Sequence, residues 1–385
     1  MNRTTLFLIR HAEAEGNAYR RIHGRYDSAV TPRGRSQIRA LRERFLADSP
    51  DVIYCSGLAR SRQTAAALCN PDRILTDPRF LEIALGPWED VPFGWLERYH
   101  PQELNRFSHR IEEWSLEGAE PYSTFTARFL EGLREAASAH PGKKIAIVTH
   151  GGVLRAALGI LFPDTEPGYA DNTSVTALEW DNGVFRPLYF NDASHLTPEI
   201  STLAHQNWWR DPTGAARDED LWFRPVAPEE GQTYIDFRRD AWSLIYGDMR
   251  DFDGSGFLAD ARRGCGDLPE ALSFAMDSGR PVGVIQLDLH REEEHGAGYI
   301  PFIYLLPEYR GRGLGLQLLG HAVSVFRARG RTAIRLSVAP SNEHAIRFYT
   351  QNGFRIIRQA KGRKRYALHL MELDIRVEQQ GEERP

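Results

Sequence analysis

The sequence predicts an α/β chain of two domains, and three observations predict it. The chain has 385 residues, against roughly 100–200 for one ordinary domain. Short apolar runs alternate with helical patterns through its first half, as a largely parallel sheet requires. In its second half, alternating strand patterns lead into a glycine-rich turn and an amphipathic helix. The composition, 42% hydrophobic and 26% charged, is that of a globular protein and excludes disordered, collagenous or coiled-coil classes.

The elements follow in order. Leu6 to Ile9 is an unbroken apolar run, a buried strand. Thr31 is placed to cap a helix that Pro32 opens, with Ile38, Leu41 and Phe45 on one face. Val52 to Cys55 reads as a second strand and Gly57 to Leu68 as a helix. Ile145 to Thr149 is a third strand, followed by Gly151-Gly152 and the helix Val153 to Leu161. Residues 175–180 and 184–190 form a hairpin around Asp181-Asn182-Gly183. Residues 197–220 lack periodicity and predict a linker, whose Trp208 and Trp209 pack on a domain surface. The second domain opens at Leu221 to Pro225, with a helix over about 228–246. Strands follow at 271–277, 281–289 and 299–306, then a helix over 314–329. The predicted domains are thus 1–196 and 221–376, with a charged tail at 377–385.

Charge and cysteine content narrow the partners. The net charge of −4 gives no sign of a nucleic-acid binder. Residues 211–308 carry 9 basic and 20 acidic side chains, whereas residues 310–376 carry 14 basic and 3 acidic ones. The second half is therefore dipolar, able to draw an anionic ligand to one face and a cationic one to another. Cys55, Cys69 and Cys265 form no CxxC pair, which argues against a disulfide scaffold or thiolate zinc site. The first apolar run is too short for a signal peptide or a membrane span, so a cytoplasmic protein is expected.

The first chemical constellation stands at strand ends. Arg10-His11 closes the first strand, Arg60 follows the second, and His150 ends the third. Ligands of open α/β sheets bind beyond the carboxyl ends of strands. Two guanidiniums and two imidazoles converging there make a phosphate pocket. Leu8-Ile9-Arg10-His11-Ala12-Glu13 with Asn17, Ser56 to Ala65, Leu81-Glu82 with Trp88-Glu89, Thr149-His150-Gly151-Gly152 and Asn172-Thr173-Ser174 complete the pattern. Residues 6–196 resemble the histidine phosphatase (phosphoglycerate-mutase-like) superfamily. The resemblance implies a three-layer αβα fold, with His11 as the nucleophile. Arg10, Arg60 and His150 would hold the phosphoryl oxygens with Asn17 assisting, and Glu82 would be the proton donor and then the base for water. No metal is implied. The chain has Ala12 where the family has glycine and Ala14 where it often has threonine. Ala12 is compatible if its φ is negative. Gly86-Pro87-Trp88-Glu89-Asp90 resembles the phosphatase branch, so hydrolysis is favoured over mutase chemistry.

The second constellation is Pro307-Glu308-Tyr309-Arg310-Gly311-Arg312-Gly313-Leu314-Gly315. It lacks the Lys-Ser/Thr ending of a P-loop and the spacing of a dinucleotide fingerprint. What remains is a turn whose N–H groups and helix N-terminus can hold a pyrophosphate. With Ser341 to Tyr349 and Asn352-Gly353-Phe354, residues 222–375 resemble the GNAT N-acetyltransferase family, a mixed α+β fold. The resemblance implies that the amides of Arg310, Gly311, Arg312, Gly313, Leu314 and Gly315 hold the pyrophosphate of acetyl-CoA. The strand edge ending at Leu305 would pair with the pantetheine arm, Asn342 would bond it, and Tyr349 would protonate the leaving thiolate. Tyr299 stands where many relatives place a glutamate, and Glu292, Glu293 and Glu294 lie just upstream, so the base is unassigned. The favoured reading is a bifunctional enzyme acting on a small phosphate ester and an amine. The alternatives are a sensor of a phosphometabolite or acetyl-CoA, and an enzyme acting on phosphorylated or acetylated proteins.

Overall fold

The computed structural model describes residues 3–69, 71–210, 219–361 and 367–377. Residues 211–218 of the expected linker and 378–385 of the expected tail lie outside the described residues. The chain divides into two compact units, Met1–Val91 with Leu96–Asp218, and Pro92–Trp95 with Glu219–Pro385.

The first unit is built on a six-stranded sheet of β1 (Thr4–Arg10), β2 (Val52–Cys55), β3 (Ile74–Thr76), β4 (Lys144–Thr149), β5 (Val175–Asp181) and β6 (Val184–Asp192), in the order β3-β2-β4-β1-β5-β6. The pairs among β1 to β4 are parallel, and the β5–β6 hairpin closes one edge antiparallel. The helices of the first half are α1 (Glu15–Tyr19), α2 (Pro32–Arg44), α3 (Ala59–Ala65), α4 (Phe93–Tyr99), α5 (Pro101–His109), α6 (Tyr122–Ala139) and α7 (Gly151–Leu161). On one face of the sheet, Leu41 and Phe45 at the end of α2 and Ala65 of α3 pack on Phe7, Ile9, Ile53, Cys55 and Val148. α6 and α7 pack on β1, completing three layers. Thr31 caps α2 as the sequence predicts, its hydroxyl accepting from Gly34 N–H at 3.0 Å. The helix expected over 57–68 is shorter, because Ser56 to Leu58 form the turn that leads into α3.

Residues 197–210, read from the sequence as linker, are tied into the first unit. Gln37 Nε2 donates to Ile200 O at 2.7 Å, and the Thr202 hydroxyl donates to the buried Glu13 carboxylate at 3.0 Å. Asp171 accepts from Ser201 Oγ and from the N–H groups of Thr202 and Leu203. Trp209 turns its indole N–H back onto Leu203 O.

The second unit has a seven-stranded sheet, ordered β12-β13-β11-β10-β9-β8-β7. Its strands are β7 (Trp222–Pro225), β8 (Leu272–Asp277), β9 (Arg280–Asp288), β10 (Ala297–Leu305), β11 (Ala333–Val338), β12 (Arg355–Lys361) and β13 (Ala367–Asp374). Its helices are α8 (Gly231–Tyr246), α9 (Gly254–Gly264), α10 (Gly315–Ala328) and α11 (Glu343–Gln351). Tyr234 and Phe237 of α8 and Ala261 of α9 pack on Phe274, Val284, Phe302 and Tyr304 of the sheet. One pairing is incomplete. β10 runs parallel to β11 only from Ala297 to Ile300. Beyond a bulge, Phe302 to Leu305 pair with β9 alone among the described residues, while Ser337 and Val338 of β11 pair with β13. The sheet therefore parts between β10 and β11, leaving the outer edge of β10 unpaired.

Candidate active sites

β2, β4 and β1 are neighbours in the sheet, and each delivers part of the first constellation at its carboxyl end. β1 ends on Arg10, with His11 next; α3, after β2, carries Arg60; His150 stands between β4 and α7. His11 and His150 face one another with ring centroids 5.0 Å apart, both buried. His11 Nδ1 lies 2.7 Å from Ala12 O. A carbonyl only accepts, so Nδ1 carries the proton and Nε2 keeps its lone pair. Desolvation holds His11 well below the usual imidazole range, and the charges of Arg60 and Arg10 act the same way. His150 is lowered by burial first and then by Arg60. Ser56 Oγ sits 2.8 Å from His150 Nε2. With the hydroxyl donating there, His150 Nδ1 bears the proton.

Both arginines are anchored through their terminal nitrogens. Arg10 Nη1 donates to Ala170 O at 2.6 Å. Arg60 Nη1 donates to Tyr26 O at 3.1 Å and Nη2 to Gly24 O at 2.7 Å, with the Asp27 carboxylate 3.5 Å from Nη1. Among the described residues, three buried nitrogens of this site then have no protein partner: Arg10 Nε, Arg60 Nε and His150 Nδ1. An orphaned buried donor costs about 1–3 kcal/mol, so the site is shaped for an oxygen-rich anion.

Glu82 lies at the N-terminus of α7. The N–H groups of Gly152 and Val153 donate to its carboxylate at 3.0 and 3.1 Å, and its neighbour Ile83 N–H donates at 3.1 Å. A Cβ on Gly152 would come within 2.8 Å of Glu82 Oε1, so this close approach needs glycine. Asn17 uses its amide oxygen to accept from Ala14 N–H at 3.1 Å and from Asn172 Nδ2 at 3.4 Å, which fixes the loop after His11. Ala12 has a negative φ, and its N–H donates to Thr64 Oγ1 at 2.9 Å. The site thus accommodates the alanine.

Several positioning residues had no assigned role in the sequence reading. Ser56 holds His150, and Asn172 Nδ2 donates to His11 O at 2.8 Å. Both stand inside the quoted motifs, which was the available signal. Arg128 of α6 left none. It donates to the carbonyls of Arg79, Leu81 and Glu82 at 2.7, 2.8 and 3.1 Å and so holds the segment that presents Glu82.

In the second unit the loop after β10 turns into α10 through Gly311 and Gly313, with φ of 73° and 80°. Arg310 N–H is used within the turn, donating to Pro307 O. Among the described residues, no backbone bond of turns, loops or caps uses the N–H of Gly311, Arg312, Gly313, Leu314 or Gly315. The Arg310 guanidinium is engaged as well, with Nε donating to Leu305 O at 2.8 Å and Nη2 lying 3.7 Å from the Asp240 carboxylate. Gly315 is small for another reason: a Cβ there would meet Phe348 of α11 at 2.9 Å. Asn342 caps α11 with its amide oxygen, accepting from Ala345 N–H at 3.2 Å. Burial pushes the Tyr349 hydroxyl far above its ordinary range, so it stays protonated. Tyr299 donates to Ser337 Oγ across the point where β10 and β11 part. Glu292 is paired with Arg335 at 2.9 Å and Glu293 with Arg331 at 2.7 Å, so both carboxylates are held by cations. Among the described residues, no group of three or more His, Cys, Asp or Glu side chains could hold a metal, and no helix is long and apolar enough to cross a membrane.

Comparison with known proteins finds two families in this chain. The sequence profile of the histidine phosphatase superfamily (branch 1) matches residues 6–193, and that of the GNAT acetyltransferase family matches residues 231–354. The protein named "Putative phosphoserine phosphatase 2" of Hydrogenobacter thermophilus is 30% identical over 197 residues, covering 49% of this chain and 96% of the relative. The "Metal-independent phosphoserine phosphatase" of Arabidopsis thaliana is 27% identical over 199 residues, covering 50% and 84%. A solved structure, Bacillus stearothermophilus YhfR, is 32% identical and covers 50% of this chain and 98% of that one, with a TM-score of 0.47. Profile and relatives agree on the first half, and the profile alone marks the second: the chain belongs to the histidine phosphatase superfamily over residues 6–193 and carries a GNAT-family domain over residues 231–354.

Proposed function

We propose that the chain is a bifunctional enzyme that hydrolyses a small phosphomonoester through a phosphohistidine on His11 and transfers an acetyl group from acetyl-CoA to an amine. The observation that carries the first half is the ring of orphaned donors, Arg10 Nε, Arg60 Nε and His150 Nδ1, around an imidazole whose proton is fixed on Nδ1. His11 Nε2 attacks phosphorus as the ester oxygen departs, and Glu82 supplies that oxygen with a proton. Water then attacks the phosphohistidine as Glu82 takes its proton, and His11 Nε2 is released with its lone pair. The arginines and His150 neutralise the charge on the transferring phosphoryl oxygens, the main demand of this chemistry. The relatives named as phosphoserine phosphatases support a small phosphomonoester of that kind, hydrolysed without a metal.

For the second half, the five N–H groups from Gly311 to Gly315 and the unpaired edge of β10 support a pyrophosphate and an extended amide-bearing arm. Asn342 Nδ2 is available to the arm. Acetyl-CoA supplies the activated thioester: as the amine nitrogen bonds the carbonyl carbon and the C–S bond breaks, Tyr349 gives its proton to the departing sulfur, and the proton shed by the nitrogen restores the tyrosine.

Rapid acid-free quenching during phosphoserine turnover tests the first half. Wild type should carry acid-labile phosphate and His11→Ala none, with full activity in a chelator. Label retained in the alanine variant removes the assignment. Calorimetric titration with acetyl-CoA tests the second half, and absence of binding removes it.

A further inference from the structure

Arg238 of α8 is a half-buried cation without a carboxylate. Other arginines of this unit are paired: Arg224 with Glu230, Arg239 with Asp236, and Arg335 with Glu292 and Glu372. Among the described residues, none lies within ion-pair distance of Arg238. Its guanidinium instead lies over two rings, 4.1 Å from the centroid of Phe302 and 4.5 Å from that of Phe257. Nε donates to Tyr234 Oη at 3.0 Å, and Nη2 donates to Gln286 Oε1 at 3.2 Å. The Tyr234 hydroxyl donates to the same Gln286 oxygen at 2.8 Å. Two donors on one atom fix that amide's orientation, since only its oxygen accepts. Gln286 is nearly fully buried, and its Nε2 has no protein partner among the described residues. Arg238 Nη1 has none either. Two N–H donors, one of them charged, are thus left over on adjacent, rigidly held side chains.

Their place in the sheet gives these donors a use. Gln286 is opposite Phe302 in the β9–β10 register. Phe302 lies two residues beyond Ile300, where β10 leaves β11. An extended arm that starts at the loop after Leu305 and follows the free edge of β10 must stop at that parting, so its reactive end arrives beside Phe302. We infer that the acceptor amine carries its own oxyanion, a carboxylate or a phosphate, which Arg238 Nη1 and Gln286 Nε2 bind next to the acetyl group. This inference rests on the acetyltransferase reading above. A guanidinium with a fixed amide beside it matches a two-oxygen acceptor, and the aromatic walls keep it from swinging to solvent. The net acidic stretch 211–308 favours the ammonium end of such an acceptor, while Arg238 selects the other end.

Thiol release from acetyl-CoA by the full-length protein, over matched pairs of amines, tests this. Serine is set against serinamide, and phosphoethanolamine against ethanolamine. Wild type should prefer at least one anionic member by roughly 10- to 100-fold in kcat/KM, and which pair responds tells carboxylate from phosphate. Arg238→Met should remove that preference by raising KM for the anionic amine more than for the neutral one, with the affinity for acetyl-CoA retained. Gln286→Glu, isosteric and able to pair Arg238 internally, should do the same without opening a cavity. Equal use of charged and neutral partners by wild type, or an equal loss on both in each variant, overturns the inference. Calorimetry with acetyl-CoA separates the cases: binding with no anion preference sinks only the acceptor site, whereas no binding sinks the acetyltransferase reading itself.

Discussion

Glu82 accepts three backbone N–H groups at once, so its carboxylate is held in place rather than left to swing. A glutamine there keeps one oxygen to accept those bonds but cannot supply a proton as a carboxylic acid does. Glu82→Gln should slow hydrolysis of an alkyl phosphate such as phosphoserine by roughly 10²–10⁴-fold. It should affect p-nitrophenyl phosphate far less in the first step, because that leaving oxygen needs no proton. Steady-state rates on the two esters check this, and equal losses would point to a role in water activation or structure. The paired imidazoles give a pH signature. Both are lowered in the folded protein, mainly by burial, while unfolded histidines titrate near their ordinary value. Below about pH 6.5 the unfolded chain therefore binds more protons. The stability that neutral His11 and His150 allow is complete above that pH and is lost as the pH falls toward their lowered native values. The slope is up to about 1.4 kcal/mol per pH unit for each. Denaturant midpoints from pH 7.5 to 5 should fall for wild type and fall less for His150→Gln.

Among the elements, the strands and helices that carry His11, Arg60, His150 and the Arg310 to Gly315 loop were legible, because apolar runs and capping residues announce them. α9 was not legible: Gly254, Ser255, Gly256 and Gly264 lower its helical signal, and its place is set by packing on α8. The long α6 does carry a legible signal, since Phe125, Phe129 and Leu133 recur at helical spacing and are all fully buried. The polar second layer was hidden for another reason. Arg128 reaches carbonyls 46 to 49 residues away, and no local pattern records such a pairing. The glycines of the loop meet different structural demands. Gly311 and Gly313 supply positive φ, while Gly315 admits Phe348. Gly313→Val should therefore abolish acetyl-CoA binding, both by forcing the loop out of its φ of 80° and by crowding the N–H groups. Phosphoserine hydrolysis should be unchanged. Binding at wild-type affinity in calorimetry would make the loop a mere connector.

For the whole molecule, the instructive segment is 197–210. Its irregular composition reads as a tether, but its hydrogen bonds to Gln37, Glu13 and Asp171 make it part of the first unit. Such contacts between a non-periodic segment and buried polar groups are invisible to pattern reading. Each unit has a core of its own, so each should fold without the other. A chain ending at Arg210 should keep phosphatase activity. One ending at His195 leaves the buried Glu13 and Asp171 short of donors and should melt at least about 5 °C lower, with reduced turnover. Melting curves and phosphoserine hydrolysis of the two truncations decide it; equal behaviour would return the segment to the role of tether.

The parting of β10 from β11 also bears on how the protein unfolds. A molecule seated along that edge would serve as a surrogate strand, completing hydrogen bonds that the polypeptide leaves open. Bound acetyl-CoA would then add about 2.7 kcal/mol to the second unit at a hundredfold excess over its Kd, and nothing to the first. One polypeptide would hold two melting points, one fixed and the other sliding with ligand concentration, so that a single thermogram would report how much acetyl-CoA surrounds it.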